Sequence, residues 1–491
     1  MCHWSWLALA GLGVVADPFD NFQLGNATRP LHERKVQFLD GYPGYNQDVE
    51  AVREKEARRL DDLAYLDYAG SGQYQDFQLR KNYEDLTTNA YGNAHSHNPS
   101  AEQTDSRLRQ VRQKILDWFG VTAEEYTVIF TSGATAALKL VGETFEFKGG
   151  EFWYTRSNHN SVLGIREFAH RDGAPFKSLS RRDVEDALLP RLNSGARNGP
   201  PDGPRCLFAY PLKDNFAGDM WPARWAEQIR SHGLSDDCHW TVLADVAAFV
   251  SSTPLSLREF SVDYAALSFY KMFGYPTGLG CLLVRNGLER YMSKVYWGGG
   301  TVITADCDSR WCKMKGDTSS RFEDGTVSFL AINSLRYGFE ALESLGGMQR
   351  ITQHIAALTR HLSVELDSMR YFGRPVVTRY TSERLSPASN GIIAFNLHRP
   401  DGSTVNFSQI EMMASHYNIH LRGGCFCNPG ACQDFLELTT QELVESSETR
   451  QSCSDPHNAF GKPLGAVRVS IGYLTTFEDV ELFLDFLRGV I

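Results

Sequence analysis

The sequence predicts an α/β fold: a large, mainly parallel sheet domain with helices on both faces, plus a smaller C-terminal α/β domain. Three observations point there. Between about residues 60 and 330, short apolar runs alternate with amphipathic stretches, the pattern of strands and crossover helices. One run, "YTVIFT" (126–131), leads through a glycine turn into an amphipathic helix. A second, shorter α/β pattern follows from residue 331, with no interdomain linker and no internal repeat. The expected division is an N-terminal segment (1–39), a large domain (40–330) and a small C-terminal domain (331–491) that carries a cysteine-rich loop.

Taken in order, Ser100 is expected to open a helix with Gln103 completing a capping box. Leu108, Val111, Ile115 and Phe119 are spaced for its buried face, and Gly120 ends it. "YTVIFT" then reads as a buried strand, followed by "CLFAY" (206–210), "TVLAD" (241–245), "YAALSF" (264–269) and "GCLLV" (280–284). By composition 193–204, 307–317 and 446–463 are loops.

Composition narrows the function. A chain of 491 residues, 42% hydrophobic and 22% charged, is long enough for a large core and a second one. A net charge of −10 and a pI near 5.8 argue against nucleic acid as the main partner, while small anions remain possible ligands. Ten cysteines in so long a chain are too dilute for a disulfide scaffold, so a reducing, cytoplasmic setting is the expectation. The apolar stretch Trp4–Ala16 has signal-peptide length but no positively charged flank, and reads either as a targeting segment or as a packed N-terminus. It is too short to span a bilayer, and no membrane partner is expected.

Chemistry concentrates at strand ends. In "TSGATAALKL" (131–140), the backbone N–H groups around Gly133, Ala134 and Thr135 sit at a helix start, where an anion such as phosphate is favoured. A plain strand-to-helix turn with a Ser/Thr cap is the other reading. Asp245 closes an apolar strand and needs a cationic partner there. Lys271, in "SFYKMFGYPTGLG", follows another apolar strand, where lost hydration makes its amine reactive. The two could simply pair, or the lysine could reach out to water. Together with the phosphate cradle, they are the three grips on pyridoxal 5'-phosphate: phosphate on the helix N-terminus, pyridinium nitrogen on the carboxylate, aldehyde on the lysine.

The ordered motifs "YLDYAGSG" (65–72), "FTSGATAALKLV" (130–141), "RSNHNSV" (156–162), "DNFAG" (214–218), "ADVAAF" (244–249), "SFYKMFGYPTGLG" (268–280), "FEDGT" (322–326) and "VRVSIGYLTTFEDV" (467–480) resemble the class V aminotransferase-fold cysteine desulfurases. Within them the chain is similar to the NifS-like domain of eukaryotic molybdenum cofactor sulfurases, whose mark is "CFCNPGAC", found at 425–432. The resemblance covers about residues 40 to 491 and implies the fold type I of pyridoxal-phosphate enzymes. It makes Lys271 the Schiff-base lysine, Asp245 the pyridinium partner and His159 the ring stacked on the cofactor. Thr135 and Ser268 fall at phosphate ligands, and Asn215 near the cofactor's phenolic oxygen. Arg468 matches the residue that holds the substrate carboxylate, a task suited to a planar fork. Gly325 and Thr326 match a loop that reaches the neighbouring subunit's phosphate, which implies a homodimer. Ala248 and Tyr270 depart from the wider pattern, where a glutamine and a histidine stand.

The stretch "LRGGCFCNPGAC" (421–432) allows a metal site, a disulfide or one reactive thiol. Zinc is the weaker reading, because three cysteines at C-x-C-x4-C spacing lack a fourth ligand close by. The desulfurase segment Arg-x-Gly-x-x-Cys, laid on "RGGCFC", selects Cys427 as nucleophile, with Arg422 upstream to hold substrate or favour the thiolate. The roles of Cys425 and Cys432 stay open. The implied activity is conversion of L-cysteine to L-alanine with an enzyme persulfide, the sulfur passing to molybdenum cofactor or to a separate acceptor protein. Two alternatives stand beside it: a carbon–sulfur lyase or other class V enzyme in which Cys427 is incidental, and a non-catalytic scaffold or sulfur-relay protein.

Overall fold

The computed structural model describes residues 29–381, 390–449, 458–459 and 461–490. The Trp4–Ala16 stretch and most of the expected 446–463 loop therefore lie outside the described residues.

Seven strands form the main sheet: β1 (Tyr126–Thr131), β2 (Phe152–Thr155), β3 (Phe176–Leu179), β4 (Arg205–Pro211), β5 (His239–Asp245), β6 (Tyr264–Ser268) and β7 (Gly280–Arg285). Their order across the sheet is β1-β7-β6-β5-β4-β2-β3. Only β7 runs against its neighbours, so the other six share one direction. Each expected strand of the large domain is present to within a residue or two.

The central strands read as continuous apolar runs because both faces are covered. On one face Leu207, Ala209, Leu243 and Ala266 pack with Ala137, Leu138 and Val141 of the helix Ala134–Thr144. On the other, Phe208, Tyr210, Val242 and Leu267 pack with Trp225 and Ile229 of the helix Trp225–His232. Register keeps the strand ends level: Pro211 lies opposite Asp245, and Asp245 opposite Ala266.

A second, antiparallel sheet is built from β8 (Val377–Tyr380), β9 (Ile392–Leu397), β10 (Arg422–Gly424) and β11 (Ala466–Ser470), in the order β8-β9-β11-β10. Two long helices, Gly347–Ser368 and Phe477–Val490, accompany it. The first described helix, Leu31–Gly41, is tied to the last one by Arg34, which donates to Asp485 at 2.8 and 3.0 Å. His354 secures the same corner. Its Nδ1 accepts the Asn46 N–H at 3.1 Å, which leaves Nε2 to donate to the Thr475 carbonyl at 2.9 Å.

That arrangement requires a neutral imidazole, and burial pushes the His354 pKa down to about 4. The unfolded chain binds this proton from about pH 6.5 downward while the folded chain refuses it. The His354 contribution is therefore intact above pH 6.5 and is lost as pH falls toward 4, by roughly 3 kcal/mol at ~1.4 kcal/mol per pH unit. Chemical denaturation between pH 7 and 4 is expected to show a shallower decline in His354→Gln than in the parent.

Four local expectations are corrected. Helix Pro99–Trp118 is capped by Asn98, whose side chain accepts from Ala101 N at 3.0 Å, rather than by Ser100 and Gln103; Pro99 at the first helical position favours this earlier start. The 307–317 loop is in part a hairpin, with Val302–Ala305 paired to Cys312–Met314. Helix Thr440–Thr449 runs into the expected 446–463 loop. Finally, the cysteines are not all single. Cys206 is bonded to Cys238 and Cys425 to Cys432. Parallel pairing of β4 with β5 sets Cys206 opposite Trp240, so Cys238 arrives within 5.8 Å, Cα to Cα.

Candidate active site

Six parallel strands end on the same edge of the main sheet, where α/β folds place ligands. The turn after β1 carries Gly133, whose φ of 133° suits a residue without a side chain. It lets the helix start at Ala134, whose N–H donates to Ser268 Oγ at 2.7 Å, joining the ends of β1 and β6. Thr135 Oγ1 lies 2.8 Å from Ser161 Oγ across the mouth of this turn.

One recess is lined by Ala134, Thr135, His159, Asn215, Asp245, Ser268 and Lys271, with Ala248 and Tyr270 beside them. Asp245 Oδ1 accepts from Ala247 N at 3.0 Å, which leaves the second carboxylate oxygen for a ligand. Among the described residues no ion pair joins Asp245 to Lys271, so the simple pairing considered from the sequence does not hold. Burial lowers the Lys271 amine pKa, Asp245 opposes the shift, and Arg468 and Arg422 add to it. His159 Nδ1 accepts the Ser161 N–H at 3.1 Å, so the neutral ring carries its proton on Nε2. Burial lowers its pKa against the pull of Asp245, which keeps it neutral near pH 7. A helix N-terminus, a carboxylate oxygen, an imidazole and a destabilised ammonium together fit a phosphorylated aromatic aldehyde.

The second sheet supplies the other wall. Arg422 on β10 and Arg468 on β11 are register partners. Arg468 is 1% exposed and donates to Asp67 Oδ1 and to the Asn215 carbonyl, both at 2.8 Å, while its Nε–H is buried without a partner. An unsatisfied guanidinium donor invites an anionic oxygen. The guanidinium also lies 4.6 Å from the Phe426 ring centroid.

Phe426 belongs to the cysteine-rich loop, and the structure separates its three thiols. Cys425 and Cys432 are bonded to each other, which leaves neither sulfur as a thiolate ligand for the zinc alternative; Cys427 between them is free and exposed. Phe426 and Cys427 have φ of 55° and 58°, a left-handed turn that lifts Cys427 outward. The loop leans on the end of β2: Asn160 N donates to the Cys427 carbonyl at 2.7 Å, and Arg156 pairs with Asp434 at 2.7 Å. Only glycine fits at 430, where a Cβ would come within 2.0 Å of the Arg156 carbonyl oxygen. A thiolate at Cys427 is close enough to Arg468 to raise the guanidinium pKa, although burial lowers it overall.

Thr326 stands apart. It is exposed, accepts from Asn93 Nδ2 at 3.3 Å and does not line the recess of its own chain.

A sequence model of the family described as "Aminotransferase class-V" matches residues 64–483. The chain belongs to the class V aminotransferase family. The molybdenum cofactor sulfurase of Danio rerio is 40% identical over 462 residues, covering 91% of this chain and 55% of that protein. That of Arabidopsis thaliana is 38% identical over 483 residues, covering 91% and 58% respectively. The chain thus spans about half the length of these curated relatives. Among solved structures, an apo cysteine desulfurase from Thermococcus onnurineus NA1 superimposes with a TM-score of 0.71 at 19% identity, covering 90% of this chain and 98% of that one. The cystine C-S lyase C-DES gives 0.65 at 18% identity, covering 88% and 98%. At such identities the likeness is one of fold.

Sequence reasoning missed one residue of this class V recess, Lys213, and one that supports Arg468 beside it, Asp67. Asp67, on which Arg468 rests, lies in a motif quoted only for its resemblance. Lys213 is 2% exposed, with Nζ held by Ser252 Oγ and, at 2.8 Å, by the Asn390 carbonyl. Burial pushes its pKa down to about 7. Pro211, Lys213 and Asn215 all line the recess, and alternation at the end of β4 was the available signal.

Proposed function

We propose that this protein is a pyridoxal-phosphate-dependent cysteine desulfurase. It converts L-cysteine to L-alanine and keeps the sulfur as a persulfide on Cys427. The observation that carries the reading is the free, exposed Cys427 thiol on a turn packed against Arg468. A lyase of the same fold has no need of such a thiol.

Bound pyridoxal phosphate would supply the electron sink. The chain's residues divide the remaining work. Ala134, Thr135 and Ser268 hold the phosphate, with Gly133 giving the turn its shape. Asp245 keeps a proton on the ring nitrogen, and His159 covers the ring face. Asn215 faces the phenolic oxygen. Lys271 would hold the aldehyde, and its Nζ would carry the substrate Cα proton. Arg468 Nε and the Arg422 guanidinium orient the substrate carboxylate. The Cys427 thiol then accepts sulfur: L-cysteine and Enz-SH give L-alanine and Enz-S-SH, with no external oxidant.

The sulfur acceptor in this reading is molybdenum cofactor, in keeping with the names of the relatives, or a separate acceptor protein. A homodimer accompanies it, with Gly325 and Thr326 reaching the second subunit's phosphate. Support comes from the segment beside that loop, which pairs Gly325 N with the Gly299 carbonyl at 2.7 Å and exposes Val295, Tyr296, Ile303 and Trp311. Sedimentation of the holoenzyme tests this, with a dimer expected.

Asp245→Asn tests the cofactor grip. A neutral amide does not hold the ring proton, so turnover is expected to fall roughly 100-fold or more while some cofactor still binds. Parent-like turnover in steady-state alanine assays would contradict the assignment.

A further inference from the structure

We propose that Asn428 is a positioning residue that couples the cofactor recess to the Cys427 loop by fixing the orientation of the Asn215 amide. This rests on the reading of the recess as a cofactor site. Asn428 is 0% exposed, and both ends of its amide are used. Its Oδ1 accepts from Ala431 N at 3.2 Å, capping the helix Pro429–Leu436. Its Nδ2 donates to Asn215 Oδ1 at 3.1 Å. Asn215 in turn donates from Nδ2 to the Phe426 carbonyl at 2.5 Å. Turning the Asn215 amide over would set oxygen against the Phe426 oxygen and nitrogen against the Asn428 nitrogen, so the network permits one orientation.

That orientation has a use on each side. An amide nitrogen has two hydrogens, and Phe426 takes one. Asn215 also lines the recess, where the second is available to an acceptor on the ligand. The carbonyl of Asn215 meanwhile receives Arg468 Nη1 at 2.8 Å. Phe426 and Cys427 occupy left-handed conformations that side-chain-bearing residues keep only when neighbours hold them. Asn160, next to His159, supplies a second tie to the turn by donating its N–H to the Cys427 carbonyl. A ligand that engages Asn215 therefore steadies the Cys427 turn, and by reciprocity an ordered turn favours the ligand.

The test compares the parent protein, Asn428→Asp and Asn428→Ala, each with and without added pyridoxal 5'-phosphate. Asn428→Asp keeps the helix-capping oxygen and removes the donor to Asn215; Asn428→Ala removes both. Two quantities are read: the rate at which iodoacetamide alkylates Cys427, followed on its peptide by mass spectrometry, and cofactor affinity by titration of absorbance. In the parent, cofactor is expected to slow alkylation. In Asn428→Asp, alkylation without cofactor rises about tenfold, the protection disappears, and affinity falls by a similar factor, the scale of one buried hydrogen bond. Helix capping alone would instead leave Asn428→Asp like the parent and affect only Asn428→Ala, which overturns the proposal. Equal protection of Cys427 in the parent and Asn428→Asp also overturns it. So does cofactor that binds the parent without slowing alkylation, a result that needs no variant to fold. Failure of the parent to bind cofactor at all overturns the underlying reading as well, and the titration alone identifies that case.

Discussion

In Lys271→Ala, alanine production from L-cysteine is expected to fall to background, and borohydride to leave no phosphopyridoxyl group on the chain. Removing a positioned general acid–base costs 100- to 10,000-fold, roughly, before the loss of covalent anchoring is counted. The structure adds a second lysine to be weighed, although Lys271 alone lies between a strand end and a glycine-rich turn. Lys213 is buried and lines the same recess. Its Nζ is already held by Ser252 and Asn390, whereas Lys271 follows directly from β6 beside Asp245. Lys213→Met is therefore expected to retain the borohydride-fixed group. A label fixed on Lys213 in Lys271→Ala, at parent-like turnover, would show that the wrong lysine was chosen.

Cys427→Ala should separate binding from sulfur abstraction. Cofactor uptake and the spectral response to L-cysteine depend on Lys271, the phosphate cradle and Arg468, none of which touches the Cys427 side chain through a hydrogen bond. They are expected to survive, while sulfane sulfur drops to background. Cys425→Ala and Cys432→Ala break the bond that closes the loop below Cys427 but leave the thiol, so each keeps measurable desulfuration. A structural zinc would predict the opposite grouping, with all three substitutions unfolding the segment together. Thermal melts alongside the sulfur assay distinguish the two patterns.

How much of this was legible in the sequence differs between strands and loops. Five of the seven main-sheet strands were, because burial on both faces makes them unbroken apolar runs such as "CLFAY" and "YAALSF"; Phe152–Thr155 and the exposed edge strand Phe176–Leu179 were not. So were the residues at their carboxyl ends. Asp245 and Lys271 are polar groups placed where an apolar strand stops, and the recess brings them together with Thr135, His159 and Ser268. What sequence order hid was contact across long separations. Asp67 meets Arg468 over some 400 positions, and Asn215 meets Phe426 over some 200, with no local pattern to announce either. Lys213 was hidden for another reason: a lysine near a strand end ordinarily reaches water, and only the packing of Ser252 and Asn390 over it makes it a buried amine. The cysteine pairs followed the same rule. Cys425 and Cys432 are close in sequence, yet which two of three sulfurs bond depends on the turn at Phe426 and Cys427.

The central claim is that sulfur leaves L-cysteine for Cys427. A single incubation of the holoenzyme with L-cysteine, analysed both for small-molecule products and by peptide mass spectrometry without reductant, tests it most directly. The account predicts one L-alanine per increment of about 32 Da, one sulfur atom, on the peptide carrying Cys427. Pyruvate and ammonia with an unmodified Cys427 peptide would contradict it and identify a carbon–sulfur lyase.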